Sequence, residues 1–210
     1  MQIFFLSLLV CVSVCRAELI FGIGGLYMPE TKIYVKDMLD SHITRDESLR
    51  YQGGGVHIMG GGFYGLESVD GLGIRGYVSF SQLKGNDYLT MLGGIGINMD
   101  VVYDVRIASG FGIGLFAGAE AGVSHIKFSD DNVPSTGLFT PYANAGVRVL
   151  FLHKHSIELF VKYPIAREYT LLKSGSIDIS PNQPQQYQYL RDMTFAPIFG
   201  LRYVITLSLS

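Results

Sequence analysis

Residues 195–209 read FAPIFGLRYVITLSL. The odd positions Phe195, Pro197, Phe199, Leu201, Tyr203, Ile205, Leu207 and Leu209 form a continuous apolar ribbon. The even positions Ala196, Ile198, Gly200, Arg202, Val204, Thr206 and Ser208 are mostly small or polar and include a charge. In a β-strand successive side chains point to opposite faces, so this period of two predicts one apolar face and one mixed face. The stretch is as long as a strand that crosses a bilayer.

The same alternation recurs upstream. Leu19, Phe21 and Ile23 oppose Ile20, Gly22 and Gly24, and Val56 and Ile58 oppose Gly55, His57 and Met59. Ile74, Val78 and Phe80 oppose Arg75, Tyr77, Ser79 and Ser81, and the run Ile95, Ile97, Met99, Val101, Tyr103 opposes Gly94 through Val102. Ile113 to Val123, Ala143 to Phe151 and Ile157 to Tyr163 continue it on odd positions. With the C-terminal stretch the count is about eight, an even number suited to closure. Closure matters because an unpaired strand edge in hydrocarbon leaves amides unsatisfied at several kcal/mol each. The predicted fold is all-β, an antiparallel up-and-down transmembrane barrel.

Composition agrees. Hydrophobic residues make up 48% of the chain and charged residues only 16%, which is apolar for a soluble domain. Beyond the N-terminus no apolar run is long enough to span a bilayer as a helix. The net charge of −2 provides no basic footprint for nucleic acid. Residues 3–14 are almost wholly apolar and lead into Cys15-Arg16-Ala17, the pattern of an export signal cleaved before Glu18. The expected organisation is a signal peptide over residues 1–17 and one barrel domain over residues 18–210. Both cysteines, Cys11 and Cys15, fall in that signal. The mature chain then holds no disulfide, thiol nucleophile or thiolate metal site.

Long polar segments lie at 29–51 and 173–190, with shorter ones at 129–137 and 84–87. Tighter joins lie near 64–71, 106–110 and 152–155. Barrels of this kind have short periplasmic turns and longer external loops. The expected external loops are therefore 29–51, 84–87, 129–137 and 173–190. Tyr27, Tyr88, Tyr103, Phe139, Tyr163 and Phe195 lie near predicted strand ends, where aromatic girdles form.

With the apolar face toward lipid, the lumen receives Arg75, Asp100, Glu120, Arg148, Glu158, Lys162 and Arg202. Basic and acidic groups nearly balance, as expected of a paired interior network. The network either fills and locks a narrow barrel or lines a small pore. Inward glycines such as Gly112, Gly114, Gly118 and Gly122 leave room for Tyr142, Phe116 and Arg148, or for water. His57 faces the same interior. The segment His153-Lys154-His155-Ser156-Ile157-Glu158 contains the residue types of a base-activated nucleophile, but adjacent His155 and Ser156 point to opposite faces of a strand. It also falls at a periplasmic turn. No catalytic site, cofactor site or metal site is assigned, and the glycine triplets 53–55 and 60–62 lack the Lys-Ser/Thr of a phosphate loop.

On this pattern the chain resembles the small outer-membrane barrels of Gram-negative bacteria, such as the OmpA transmembrane domain and OmpX, over residues 18–210. The motif Tyr203-x-Ile205-x-Leu207-x-Leu209 looks like the C-terminal signal read by the barrel-assembly machinery, with Leu209 in place of a terminal phenylalanine and Ser210 after it. The resemblance implies outer-membrane lipid and lipopolysaccharide as surroundings. It also implies possible host or surface ligands at 29–51 and 173–190, and a role in surface contact or envelope maintenance. A narrow pore for small solutes and a lipid-modifying enzyme remain as alternatives. A soluble lipocalin-like barrel would put the apolar face inward and leave a surface of glycine and scattered charges.

Overall fold

In the computed structural model, the structure describes residues 15–39, 42–66, 69–85, 89–128, 135–152, 154–180 and 183–208. Residues 1–14 of the expected signal, Tyr88, His153 and Leu209 lie outside them. Eleven strands are formed among the described residues. They are β1 (Cys15–Leu39), β2 (His42–Leu66), β3 (Leu72–Gly85), β4 (Leu89–Ala108), β5 (Phe111–Phe128), β6 (Thr136–Phe139), β7 (Tyr142–Phe151), β8 (His155–Pro164), β9 (Glu168–Ser180), β10 (Gln183–Thr194) and β11 (Ile198–Ser208).

Eight of them close a ring in the order β1-β2-β3-β4-β5-β7-β8-β11, and β11 pairs back onto β1. That closing seam runs from Tyr27↔Phe199 to Glu18↔Ser208, and β11 meets β8 on its other side. The C-terminal ribbon thus supplies the strand that abolishes the sheet edge. Outward side chains are apolar and exposed, among them Ile97, Met99, Leu115, Leu159 and Leu201. Their neighbours in sequence are buried inside, as the alternation predicts. Tight turns at one end use Gly71 and Gly110 with positive φ, and Leu152 takes φ 52° between β7 and β8.

At the opposite end the structure departs from the expected loops. Residues 29–51 are mostly strand, because β1 and β2 are each 25 residues long. A bilayer needs only about 9–11 residues per strand. Residues 32–39 of β1 pair with β2 on one side and with β10 on the other. Most of 173–190 lies in the hairpin β9–β10, so the two expected loops form a single sheet in the order β9-β10-β1-β2. Residues 136 and 137 of the expected loop 129–137 lie in β6, which pairs antiparallel with residues 123–126 of β5. The upper β1 alternates like the rest: Ile33 and Val35 are buried while Lys32 is exposed. Its polar composition conceals that pattern.

Prolines mark where strands change partners. Pro29 sits in the register shift between Met28 and Thr31, where β1 leaves β11 and takes up β10. A residue with no N–H suits a break in the ladder. Pro197 separates β10 from β11 and resets the facing, so Phe195 is buried at 4% exposure and Ile198 also points inward. The outward ribbon therefore starts at Phe199. Phe195 is an interior residue, edge-on to Tyr169, and takes no part in a girdle. The exposed aromatics Tyr27, Tyr103, Phe139 and Tyr163 stay outside, joined by Tyr64 and Phe111.

Candidate functional site

Glu158 on β8 lies directly opposite Arg148 on β7 and Arg202 on β11. Inward-facing neighbours at this spacing place charges from three strands at one level. Arg202 Nη2 is 2.7 Å from Glu158 Oε2, and Arg75 Nη1 on β3 crosses the lumen to Oε1 at 2.6 Å. Arg75 Nε donates to Asp100 Oδ2 at 2.8 Å. Arg148 is held more loosely, with Nε 3.6 Å from both Glu158 Oε1 and Asp104 Oδ1. Its Nη2 donates to Ser156 Oγ at 3.3 Å. A second cluster joins Lys162 Nζ to Glu120 at 2.7 Å. Nearby, Asn144 donates to Asn98, and Asn98 donates to Ser79.

All seven charged residues expected inside are buried, and the structure brings them into two clusters. Aromatic rings that face the lumen support them. Arg75 lies 4.1 Å from the Phe116 ring centre and Arg202 lies 4.5 Å from that of Phe160. Guanidinium groups over aromatic faces keep a favourable environment where water is excluded. His57 completes the layer. A guanidinium only donates, so Arg202 Nη1 at 3.3 Å makes His57 Nε2 the acceptor, and Nδ1–H donates to Ser81 Oγ at 3.1 Å.

The inward glycines are what let these groups fit. A Cβ on Gly118 would collide with the Asp100 carboxylate and the Met99 carbonyl, and one on Gly146 would meet the Phe116 ring at 2.5 Å. The space is therefore taken by side chains from neighbouring strands. Around His57, Tyr77, Phe116, Phe160 and Arg202 no volume the size of a water molecule is left. Toward the long-hairpin end an apolar cluster including Met28, Tyr51, Leu83, Ile126 and Met193 continues the filling.

Below this layer, at the short-turn end, lies a cavity of about 580 Å³. Arg75 and Arg148 line it, with Asp104, Phe63 and Val204 among the walls. The sequence reading did not find this cavity. Asp104 was the missed charged residue, and its even parity beside Val102 could have revealed it.

The His153–Glu158 segment separates as its parity requires. Ser156 is buried beneath Arg148, whereas His155 lies outside against Tyr203 and stacks on Phe151. Serine and histidine are thus on opposite sides of the wall. Among the described residues, no three His, Cys, Asp or Glu side chains gather as a candidate metal site.

A family model described as Helicobacter outer membrane protein matches residues 65–206. No curated protein matches the chain in sequence. Among solved structures, outer membrane protein OprG from Pseudomonas aeruginosa aligns over 92% of this chain and 97% of its own, at 9% identity and a TM-score of 0.52. The attachment invasion locus protein Ail of Yersinia pestis aligns over 89% of this chain and 99% of its own, at 12% identity and TM-score 0.38. Neisserial surface protein A aligns over 88% and 96%, at 11% identity and TM-score 0.39. The likeness to OprG is one of fold. The matched residues run from the end of β2 through β11, which covers most of the ring, and the chain belongs to the Helicobacter outer membrane protein family, a β-barrel of the Gram-negative outer membrane.

Proposed function

We propose that this protein is a non-enzymatic surface barrel. Its lumen is a structural plug, and its external sheet is the surface that meets host or environmental partners or braces the envelope. The observation that carries this reading is the pairing of a filled centre with a built exterior. His57, Phe116, Phe160, Lys162 and Arg202 leave no water-sized space between them at mid-barrel, while β9, β10 and the outer halves of β1 and β2 form a four-stranded sheet beyond it. At about 3.3 Å per residue, the eight paired residues 32–39 extend roughly 25 Å along β1. Lipopolysaccharide and outer-membrane lipid would contact the outward apolar belt. The assembly machinery would read Tyr203, Ile205 and Leu207, which alternate outward on β11, together with Leu209.

A signal peptide over residues 1–17 fits the pairing. Cleavage before Glu18 removes Cys15, Arg16 and Ala17 from the β2 ladder but leaves the β1–β11 seam whole, since that seam starts at Glu18. A lipid-modifying activity finds no support in the separation of Ser156 from His155, and lipid A from a Ser156→Ala strain is expected to match wild type. The pore reading would need the Arg75–Glu158–Arg202 cluster to part.

The test is complementation of a deletion strain by a barrel with residues 32–49 and 169–193 replaced by short turns. Gel mobility before and after boiling checks that the trimmed barrel folds. We expect host-cell adhesion and bile-salt resistance to track the external sheet, with the trimmed barrel behaving as the deletion. Full rescue by the trimmed barrel would place the function elsewhere. Should trimming block assembly, charge reversal at exposed Lys32 and Arg50 in the full-length chain asks the same question.

A further inference from the structure

We propose that the cavity at the short-turn end binds a small amphiphilic anion, a carboxylate or phosphate joined to an apolar body, from the periplasmic side. Its volume of about 580 Å³ lies within the roughly 300–1,000 Å³ range of small-molecule sites. The short turns, the start of β1 and the end of β11 surround its mouth, which by the usual orientation of such barrels faces the periplasm.

The inner end supplies buried guanidinium donors that the protein leaves unmet. Arg75 Nη2 and Arg148 Nε are buried with no hydrogen-bond partner. Arg75 and Arg202 make ion pairs at 2.6–2.8 Å, but the ion pairs of Arg148 are 3.6 Å long. A buried donor without an acceptor costs about 1–3 kcal/mol, more when charged, so an incoming oxyanion would recover what the fold leaves unmade. Asp104 faces the same space. Its Oδ1 has no hydrogen bond and approaches Arg148 only to 3.6 Å, so it leaves the guanidinium's donors unsaturated. Nearer the mouth, Arg106 and Lys154 add two cations opposite Glu18 and Asp70.

The walls explain why the anion should carry an apolar part. Phe63, Leu150, Ile20 and Val204 line the passage between mouth and arginines. A bare phosphate would bury no apolar surface there, and a neutral apolar molecule would leave the free donors of Arg75 and Arg148 unmet. Arg148, with its planar fork of donors, suits a carboxylate or phosphate held by two bonds.

The experiment uses the full-length barrel in lipid nanodiscs with phenyl phosphate, benzoate, inorganic phosphate and phenol, read by saturation-transfer NMR and calorimetry. We expect phenyl phosphate or benzoate to bind, and phosphate and phenol to bind about tenfold or more weakly. Preference between the two aryl anions identifies the headgroup. Arg148→Gln should remove binding. Because Arg148 also supports the lumen, Thr206→Trp provides a second variant that blocks the passage while leaving every ion pair in place, and heat-dependent gel mobility confirms that each variant folds. Equal binding of phenol and phenyl phosphate, or undiminished binding in folded Arg148→Gln or Thr206→Trp, would overturn the proposal.

Discussion

Glu158 holds three arginines at once, so its removal has a defined consequence at the scale of a single residue. Glu158→Gln leaves Arg75, Arg148 and Arg202 close together without their shared carboxylate. Breaking a buried pair by removing one partner costs about 3–5 kcal/mol. Ser156→Ala, which loses one 3.3 Å bond, should cost about 1 kcal/mol. The chain has no tryptophan, so urea unfolding is best followed by gel mobility of the unboiled protein. Equal midpoints for the two variants would mean that the network is not what secures the lumen. A second residue-scale expectation concerns Tyr34, which donates to Asp46 at 2.6 Å in the external sheet. That hydrogen bond raises the Tyr34 phenol above its ordinary value. A raised folded-state pKa gives stability that is present below the unfolded value of about 10 and lost as pH rises through the folded one. Asp46→Asn should make one phenolate form at lower pH in an ultraviolet titration, and an unchanged curve would contradict the pairing. The lumen charges were legible from parity alone, since Arg75, Asp100 and Glu158 alternate with lipid-facing neighbours. Their partners were not, because Arg75 and Glu158 are 83 positions apart in sequence and meet only when the barrel closes.

At the scale of elements, the eight ring strands were readable because one face of each meets lipid, which enforces an apolar period of two. The outer halves of β1 and β2 meet water on one side, so that requirement lapses and Lys, Asp and Arg mask the strand. Pro29 and Pro197 were visible punctuation, but a proline at a partner switch reads the same in sequence as one opening a loop. Cysteine labelling tests the resulting topology in a chain whose own cysteines, Cys11 and Cys15, precede Glu18. Lys32→Cys on the external sheet should react with a membrane-impermeant maleimide on intact cells. Lys154→Cys, beside the β7–β8 turn, should react only after the outer membrane is permeabilised. Reversed labelling would invert the barrel.

For the whole molecule, closure and filling make separate claims. Closure, through the β11–β1 and β11–β8 ladders, predicts that unboiled protein in detergent migrates differently from boiled protein. Identical mobility together with water solubility would contradict a membrane barrel. Filling was open in the sequence, because the same glycines admit either side chains or water. Phe116, Phe160 and Arg202 pack without water-sized space between them, and a cavity of about 580 Å³ walled by Arg75 lies at one end; the proposed plug takes the first as its seal. An eight-stranded barrel has an interior just wide enough for side chains to fill, and this chain uses charged groups braced by aromatics to do so. Single-channel recording of the purified protein in planar bilayers tests that claim most directly. A sealed lumen predicts no conductance steps from the wild type at moderate voltage, whereas regular open-channel steps from the wild type would contradict it.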